Sequence, residues 1–444
     1  MRRPGLLAVV VLPAAALAAD PPVSYFRQIR PILERHCQGC HQPAVKQANL
    51  DLTTHEGFKA GGKQGPAAKV VVAYLEGKSQ PRMPFGLPPL AEDQVALVRR
   101  WIAAGAADDT PAEARETTVA DKPPVYQLPP VITALAYSPD GAMLAVSGYR
   151  EVLLHRSDGS GLDARLLGVS DRIQSVVFSA DGRTLVAAGG AAARFGEVQI
   201  WNLASRKLER SARISSDTVF GASLSPDGSR VAVGCADNTV RIIEVSTGKE
   251  LHKIGHHENW VLGTVFGLDG KRIVSVGRDR AAKLSDATTG AFIENVNLLR
   301  DELTALARHP RRDFVLIGGA DRVPYLYMMD RPKAMKIADD TTLVRKFEPQ
   351  RGPIFALAFS ADGRRIAVAG AADEVPIYSV ETGERVAAGK GHEAGIYAVA
   401  FRPDGAEFAA GGFDGRVRVY ETGSGKLVRE FVPVPLEKQL VTQK

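Results

Sequence analysis

Residues 37 to 41 read Cys-Gln-Gly-Cys-His. Two thiols three positions apart with an imidazole directly after them form the C-x-x-C-H pattern by which haem is attached covalently. The spacing serves the chemistry. On one helical turn both thiols reach the two vinyl groups of the ring and form thioethers, and His41 is left beneath it to ligate iron. Gln38 and Gly39 only bridge the gap. Two other chemistries use a C-x-x-C pair. A thiol–disulfide site follows a strand at a helix start within a βαβ pattern, whereas Phe26, Ile29, Ile32 and Leu33 before Cys37 have helical periodicity. A structural zinc site closes four ligands. His36 and His55 could join such a set, but the chain holds three Cys in all and the third, Cys235, is remote.

Iron held by one His takes a sixth ligand, usually Met or His. Met83 is the only Met between residues 2 and 142, and it stands in Pro81-Arg82-Met83-Pro84 with Pro88-Pro89 following. Prolines fix the backbone and would hold a thioether at a set distance. A Met in so polar a stretch has little core to fill, which favours ligation over a place in a surface loop. His55 is the reserve candidate, and His36 reads as a helix-surface residue. The elements that must position these groups are a helix over 25–35 and a second over 91–104. On the second, Val95, Val98, Trp101 and Ile102 form one stripe. Its early Glu92 and Asp93 and later Arg99 and Arg100 suit the helix dipole, and Gly105 can close it. The stripe should pack on the core of a small haem domain over residues 19–107, with Trp101 near the ring edge.

The runs IRPILERHCQGCH (29–41), LDLTTHEGFKAGG (50–62), RMPFGLPPL (82–90) and VALVRRWIAAGA (95–106) resemble the planctomycete-type cytochrome c domain. The resemblance implies a small all-α electron carrier with one covalent haem c on Cys37 and Cys40. It makes His41 the proximal and Met83 the distal iron ligand. Two positions depart from the pattern. Phe85 replaces the second Pro of the Met loop, and Ala91 stands where a Ser or Thr cap is common, which weakens the helix start by about 1 kcal/mol. Neither removes a ligand.

Arg2 and Arg3, the apolar run Leu6 to Leu12 and Ala16-Leu17-Ala18 give the n-region, h-region and cleavage site of a signal peptide over residues 1–18. The apolar stretch from Gly5 to Ala19 is shorter than the ~20 residues that span a bilayer, and it contains Pro13. No later stretch is long and apolar enough. The sequence therefore predicts export to the periplasm or cell envelope, with no stable membrane span. Residues 108–124 are polar, charged and aperiodic, a linker.

From about residue 125 the chain repeats itself. Asp-Gly recurs at Asp140, Asp181, Asp227, Asp269, Asp362 and Asp404, with a degenerate copy at His309-Pro310-Arg311-Arg312-Asp313. Asp-Gly between alternating apolar runs predicts a hairpin. A second series, Asp237, Asp279, Asp321, Asp373 and Asp414, runs in phase with it. Repeats of ~40–45 residues with about four strands each predict a propeller. The units resemble WD repeats, with the Trp-Asp pair degraded to Trp201-Asn202 and Tyr420-Glu421. The expected fold is thus multidomain: the helical unit, then an all-β seven-bladed propeller over 125–434 and a tail over 435–444. His257 and His392 each lie 22 residues before a turn Asp, where WD repeats bond His to that Asp. They read as glue inside blades, and His155, His252 and His256 read as surface residues. Cys235 occupies a small-residue position and reads as a buried, inert thiol. Two insertions interrupt the period, one over 189–196 and one over 328–346, the latter carrying Arg331, Lys333, Lys336, Arg345 and Lys346. Each is a tolerated loop or a docking loop.

The composition (444 residues, 45% hydrophobic, 24% charged) is that of a soluble globular protein. Its net charge of +6 is interspersed with acids, which argues against nucleic-acid binding. These features predict an exported mono-haem cytochrome c that transfers electrons, with redox partner proteins docking on the propeller and no catalytic residues. The alternative is a propeller oxidoreductase that holds a second cofactor or substrate and uses the haem as electron exit. A non-redox interaction protein with a structural or sensing haem is a third reading, against which Met83 stands.

Overall fold

The computed structural model of the protein describes residues 22–37, 40–41, 47–86, 88–111, 122–329, 331 and 339–437. The expected signal peptide, most of the linker and the last seven residues of the tail lie outside them. The chain divides into two compact units, Met1–Arg115 and Glu116–Lys444.

In the first unit the Ser24 hydroxyl caps a π-helical turn, Tyr25–Ile29. The turn runs on into helix α1 (Arg30–His36), with Pro31 in the first turn where its missing N–H costs nothing. Helix α2 (His55–Ala60) is capped by the Thr54 hydroxyl, which accepts the Gly57 N–H at 3.0 Å. Helices α3 (Ala67–Leu75) and α4 (Glu92–Ala103) follow. Ala91 has no side-chain acceptor, and the Gln94 Oε1 takes its N–H from the far side at 3.3 Å, half of a capping box. Tyr25, Ile29 and Leu33 recur four apart and meet Phe58, Val98 and Trp101 in one core. No helix of the described residues is long and apolar enough to cross a membrane.

In the second unit, 28 strands among the described residues form seven antiparallel sheets of four, each built from consecutive strands. The seven first strands surround an axial channel of about 900 Å³; six of them line it, and Val131 and Thr133 line it just ahead of the other. These strands are Leu135–Tyr137, Arg172–Phe178, Val219–Leu224, Val261–Phe266, Leu303–Arg308, Ile354–Phe359 and Ile396–Phe401. Each Asp-Gly lies in the turn between a first and a second strand. The Ser138 hydroxyl donates to Asp140 at 2.5 Å and the Ala142 N–H to the same oxygen at 3.0 Å. The pattern recurs at Ser179/Asp181, Ser225/Asp227 and Ser360/Asp362. Gly141 sits at φ +71°, a conformation glycine adopts without strain. In the fifth blade an imidazole does this work: His309 Nδ1 accepts the N–H groups of Arg311 and Arg312 at 3.1 and 3.0 Å.

The ring closes through its chain ends. The Ile132 N–H reaches the Gly412 carbonyl at 2.9 Å, Tyr126 pairs with Leu436 in a parallel bridge, and the Glu437 N–H donates to the Tyr126 carbonyl at 2.8 Å. Tyr126, Leu153 and Val434 form a small core of their own. The Tyr126 hydroxyl also donates to Glu151, which Arg165 holds through two bonds of 2.6 and 2.8 Å.

Several expectations need correction here. The insertion over 189–196 is no loop: it lengthens the ladder between Thr184–Ala191 and Phe195–Asn202. In the other insertion Arg331 is held by Glu294 at 2.7 Å and Arg345 by the carbonyls of Val380, Glu381 and Thr382, so both cations serve the fold. Lys333 and Lys336 lie outside the described residues. His257 bonds Asp279 at 2.9 Å and Ser275 at 2.7 Å, as expected. His392 does not reach Asp414. Arg418 stands between them, 3.2 Å from His392 Nδ1 and 2.5 Å from the carboxylate. His155 is buried, with Nε2 2.9 Å from the Pro433 carbonyl. Cys235 is fully buried, and burial, with Asp237 nearby, pushes its thiol up to about 12.

Candidate functional site

Cys37 ends α1, and its carbonyl accepts the N–H groups of Cys40 at 3.2 Å and His41 at 3.0 Å. One tight turn thus carries both thiols and the imidazole. The His41 carbonyl in turn accepts the Leu52 N–H at 2.8 Å, tying the turn to the segment before α2. Met83 comes from the other side of the unit, where its N–H donates to the Tyr74 carbonyl at 3.1 Å at the end of α3.

These side chains line one cavity of about 480 Å³. Cys37, Cys40, His41 and Met83 all face it, between walls that include Leu50, Leu52, Val70 and Val71. His41 is buried, and Phe85 on the rim is 73% exposed. Burial, and then the neighbouring Cys40, push the Cys37 thiol up to about 12. A protonated thiol is a poor nucleophile for disulfide exchange, and no βαβ unit surrounds the pair among the described residues of this unit. Nor does the cavity suit structural zinc. Among the described residues the one group of metal-capable side chains with ligand atoms within 4.8 Å of one another is His55, Glu56 and Asp108, which includes neither Cys.

The remaining candidates are placed differently from the sequence expectation. His55 does not line the cavity; its Nε2 is 2.7 Å from the Ala106 carbonyl and its ring meets Tyr25 edge-on. His36, read as a surface residue, is half-buried and does line it. Trp101 is on the far side of the core, stacked on Tyr25 at 5.3 Å and against Phe58 at 4.8 Å, with Nε1 donating to the Ala107 carbonyl. Its indole needs a hydrogen-bond partner when buried, and the chain after α4 offers one. The α3 wall had been given no role, although its run Ala67-Ala68-Lys69-Val70-Val71-Val72 is apolar enough to have suggested one.

Comparison with known proteins bears on the second unit. Residues 383–421 match the WD domain, G-beta repeat, and residues 191–265 match the anaphase-promoting complex subunit 4 WD40 domain. The chain is 30% identical over 176 residues to transcription factor unc-37 of Caenorhabditis elegans, a stretch of 38% of this chain and 28% of that protein. It is 31% identical over 84 residues to the WD repeat-containing protein 91 homolog of Dictyostelium discoideum, 19% and 11% of the two chains. It is 26% identical over 150 residues to autophagy-related protein 16 of Arabidopsis thaliana, 33% and 28% of the two chains. Less than a third of each relative is spanned. With the seven sheets, these matches identify the second unit as a seven-bladed β-propeller of WD40 repeats.

Proposed function

We propose that the protein is an exported mono-haem cytochrome c that passes single electrons, with the WD40 propeller as the scaffold on which redox partner proteins dock. The observation that carries the reading is the convergence of Cys37, Cys40, His41 and Met83 on one apolar cavity. That donor set fits haem c: two thiols on one turn, an imidazole beside them, and a thioether from a separate loop.

The Cys37 and Cys40 sulfurs would add across the two vinyl groups, each thiol hydrogen passing to the other vinyl carbon, so attachment consumes no oxidant. His41 and Met83 would fill the fifth and sixth positions on iron. When bound, the haem supplies a one-electron Fe(II)/Fe(III) couple. The walls around Leu50, Leu52, Val70 and Val71 keep water away. A dry site disfavours the extra charge of the oxidised state and so raises the potential, as Met ligation also does. Phe85 exposes the cavity's rim to a partner.

The test is protein-film voltammetry on the full chain exported by a host competent in c-type haem maturation. A reversible wave of one electron per chain is expected. A chain without such a wave refutes the reading.

A further inference from the structure

The first strands of six blades end on Tyr137, Phe178, Leu224, Phe266, Phe359 and Phe401, and that of the fifth blade ends on Arg308. Among the described residues Arg308 and Arg172 are the charged groups that line the axial channel and no carboxylate does; Arg172 begins its strand and so sits toward the opposite end. The same blade also lacks the acidic turn. Where the others carry Asp-Gly, it carries Arg311-Arg312, both exposed. Three cations therefore occupy five residues at the turn-side end of the channel.

Their charges are only partly offset locally: Asp313 acts on Arg308, Asp362 feels Arg311, and Arg312 lies 5.9 Å over the Phe314 ring. No ion pair within 4 Å is formed by Arg308, Arg311 or Arg312 among the described residues; Arg308 donates to the His309 carbonyl at 3.2 Å. Both acids are shared with other donors. Asp313 holds Arg272 at 3.1 Å and the Leu268 N–H at 3.1 Å, and Asp362 accepts from Ser360 and the Arg364 N–H. Burial works against the charge on Arg308, with only Asp313 opposing. Arg308 is half-buried, and a partly desolvated cation without a bonded carboxylate gains from one that a ligand supplies.

We propose that this end of the channel receives an acidic peptide segment of a docking partner. One carboxylate pairs with Arg308 inside the channel, and further carboxylates of the same segment meet Arg311 and Arg312 on the rim. Phe178, Leu224 and Phe266, which end the first strands of blades two, three and four, line the same channel and accept the aliphatic stems. An extended chain of carboxylates fits an interior cation followed by two rim cations, which a compact anion does not. The inference rests on the propeller being a docking platform, and adds which surface and what chemistry it uses.

The probe is fluorescein-labelled hexaglutamate, read by anisotropy against the full chain at low and at about 0.15 M salt. Binding that weakens with salt is expected. Arg308→Leu, the residue blade three has there, should weaken it about tenfold, and so should Arg311→Asp with Arg312→Gly, which restores the turn of the other blades. Arg308→Lys should retain most of the affinity, and Arg172→Ala should leave it unchanged. Circular dichroism confirms that the variants fold. Absence of binding, equal binding by all variants, or competition by inorganic phosphate as strong as by unlabelled peptide would each overturn the proposal. Any of these with an intact haem wave sinks this surface alone; the docking-platform reading falls only if a chain lacking the propeller exchanges electrons with its partner unchanged.

Discussion

The Met83 N–H donates to the Tyr74 carbonyl at 3.1 Å. That bond ties the proline-flanked loop to the end of α3, the helix whose Val70 and Val71 wall the cavity. The thioether and the wall it faces are therefore held by one element, and Met83 is positioned before any ligand binds.

Met83→Ala should leave a covalently bound haem with an altered spectrum and a potential lower by on the order of 0.1 V. Spectroelectrochemistry of the exported full chain reads both. An unchanged potential would move the sixth ligand elsewhere, and His36, which lines the same cavity, would be the next residue to substitute.

His257 and His392 occupy the same repeat position but should differ in cost. His257 bonds Asp279 and Ser275, so His257→Ala removes both bonds and should cost about 1–3 kcal/mol of propeller stability. It leaves the buried Ser275 hydroxyl without this partner, while Asp279 keeps the Glu258 N–H and Lys283. His392 Nε2 has no partner, so His392→Ala should cost less. Urea unfolding followed by far-UV circular dichroism separates the two; equal losses would contradict the hydrogen-bond account.

Acid should destabilise the propeller in two windows. Burial, and then the Arg418 cation, lower the pKa of His392 from 6.5 to about 4. The unfolded chain then takes up a proton below pH 6.5 that the native protein refuses down to about 4. Stability is full above pH 6.5 and falls between these values, by on the order of 2 kcal/mol from this residue. His155 and His309 shift the same way, both chiefly through burial. At Asp279 burial opposes the charge, but the bond and charge of His257 outweigh it and hold the carboxyl at about 2. Its contribution is present above the ordinary carboxylate range and is lost as pH falls toward 2. Melting temperature against pH checks the sign, and His392→Gln should flatten the upper window.

Ending the chain after Pro433 removes Val434, 4% exposed against Leu153 and Tyr126, and the Leu436 bridge. The loss of the small closure core should cost about 2–4 kcal/mol and lower the melting temperature of the propeller. An unchanged melt would mean that the Ile132–Gly412 bond and the packing of Leu135 and Val146 on Ala398 and Val417 suffice to close the ring.

The propeller was legible because its signals are local and recur: Asp-Gly turns, in-phase Asp residues and alternating strands repeat along the chain. What was missed depends on tertiary partners. Arg418 displaces His392 from its Asp because a cation four residues after the turn competes for the same carboxylate. The ring closure joins Tyr126 to Leu436, residues far apart in sequence that no periodicity links. In the helical unit type and spacing single out four residues, Cys37, Cys40, His41 and Met83, that the fold brings to one cavity. The role of Trp101 was not legible, since its stripe on α4 fixes which face is buried but not which neighbour it meets.

The account turns on covalent haem at Cys37 and Cys40. The most direct measurement is the intact mass of the full chain exported by a maturation-competent host, before and after acid–acetone extraction. The account predicts the mass of the chain without its signal peptide plus one haem, unchanged by extraction, with Cys37→Ser/Cys40→Ser lacking the addition. An apoprotein mass, or a haem that the solvent removes, would contradict it.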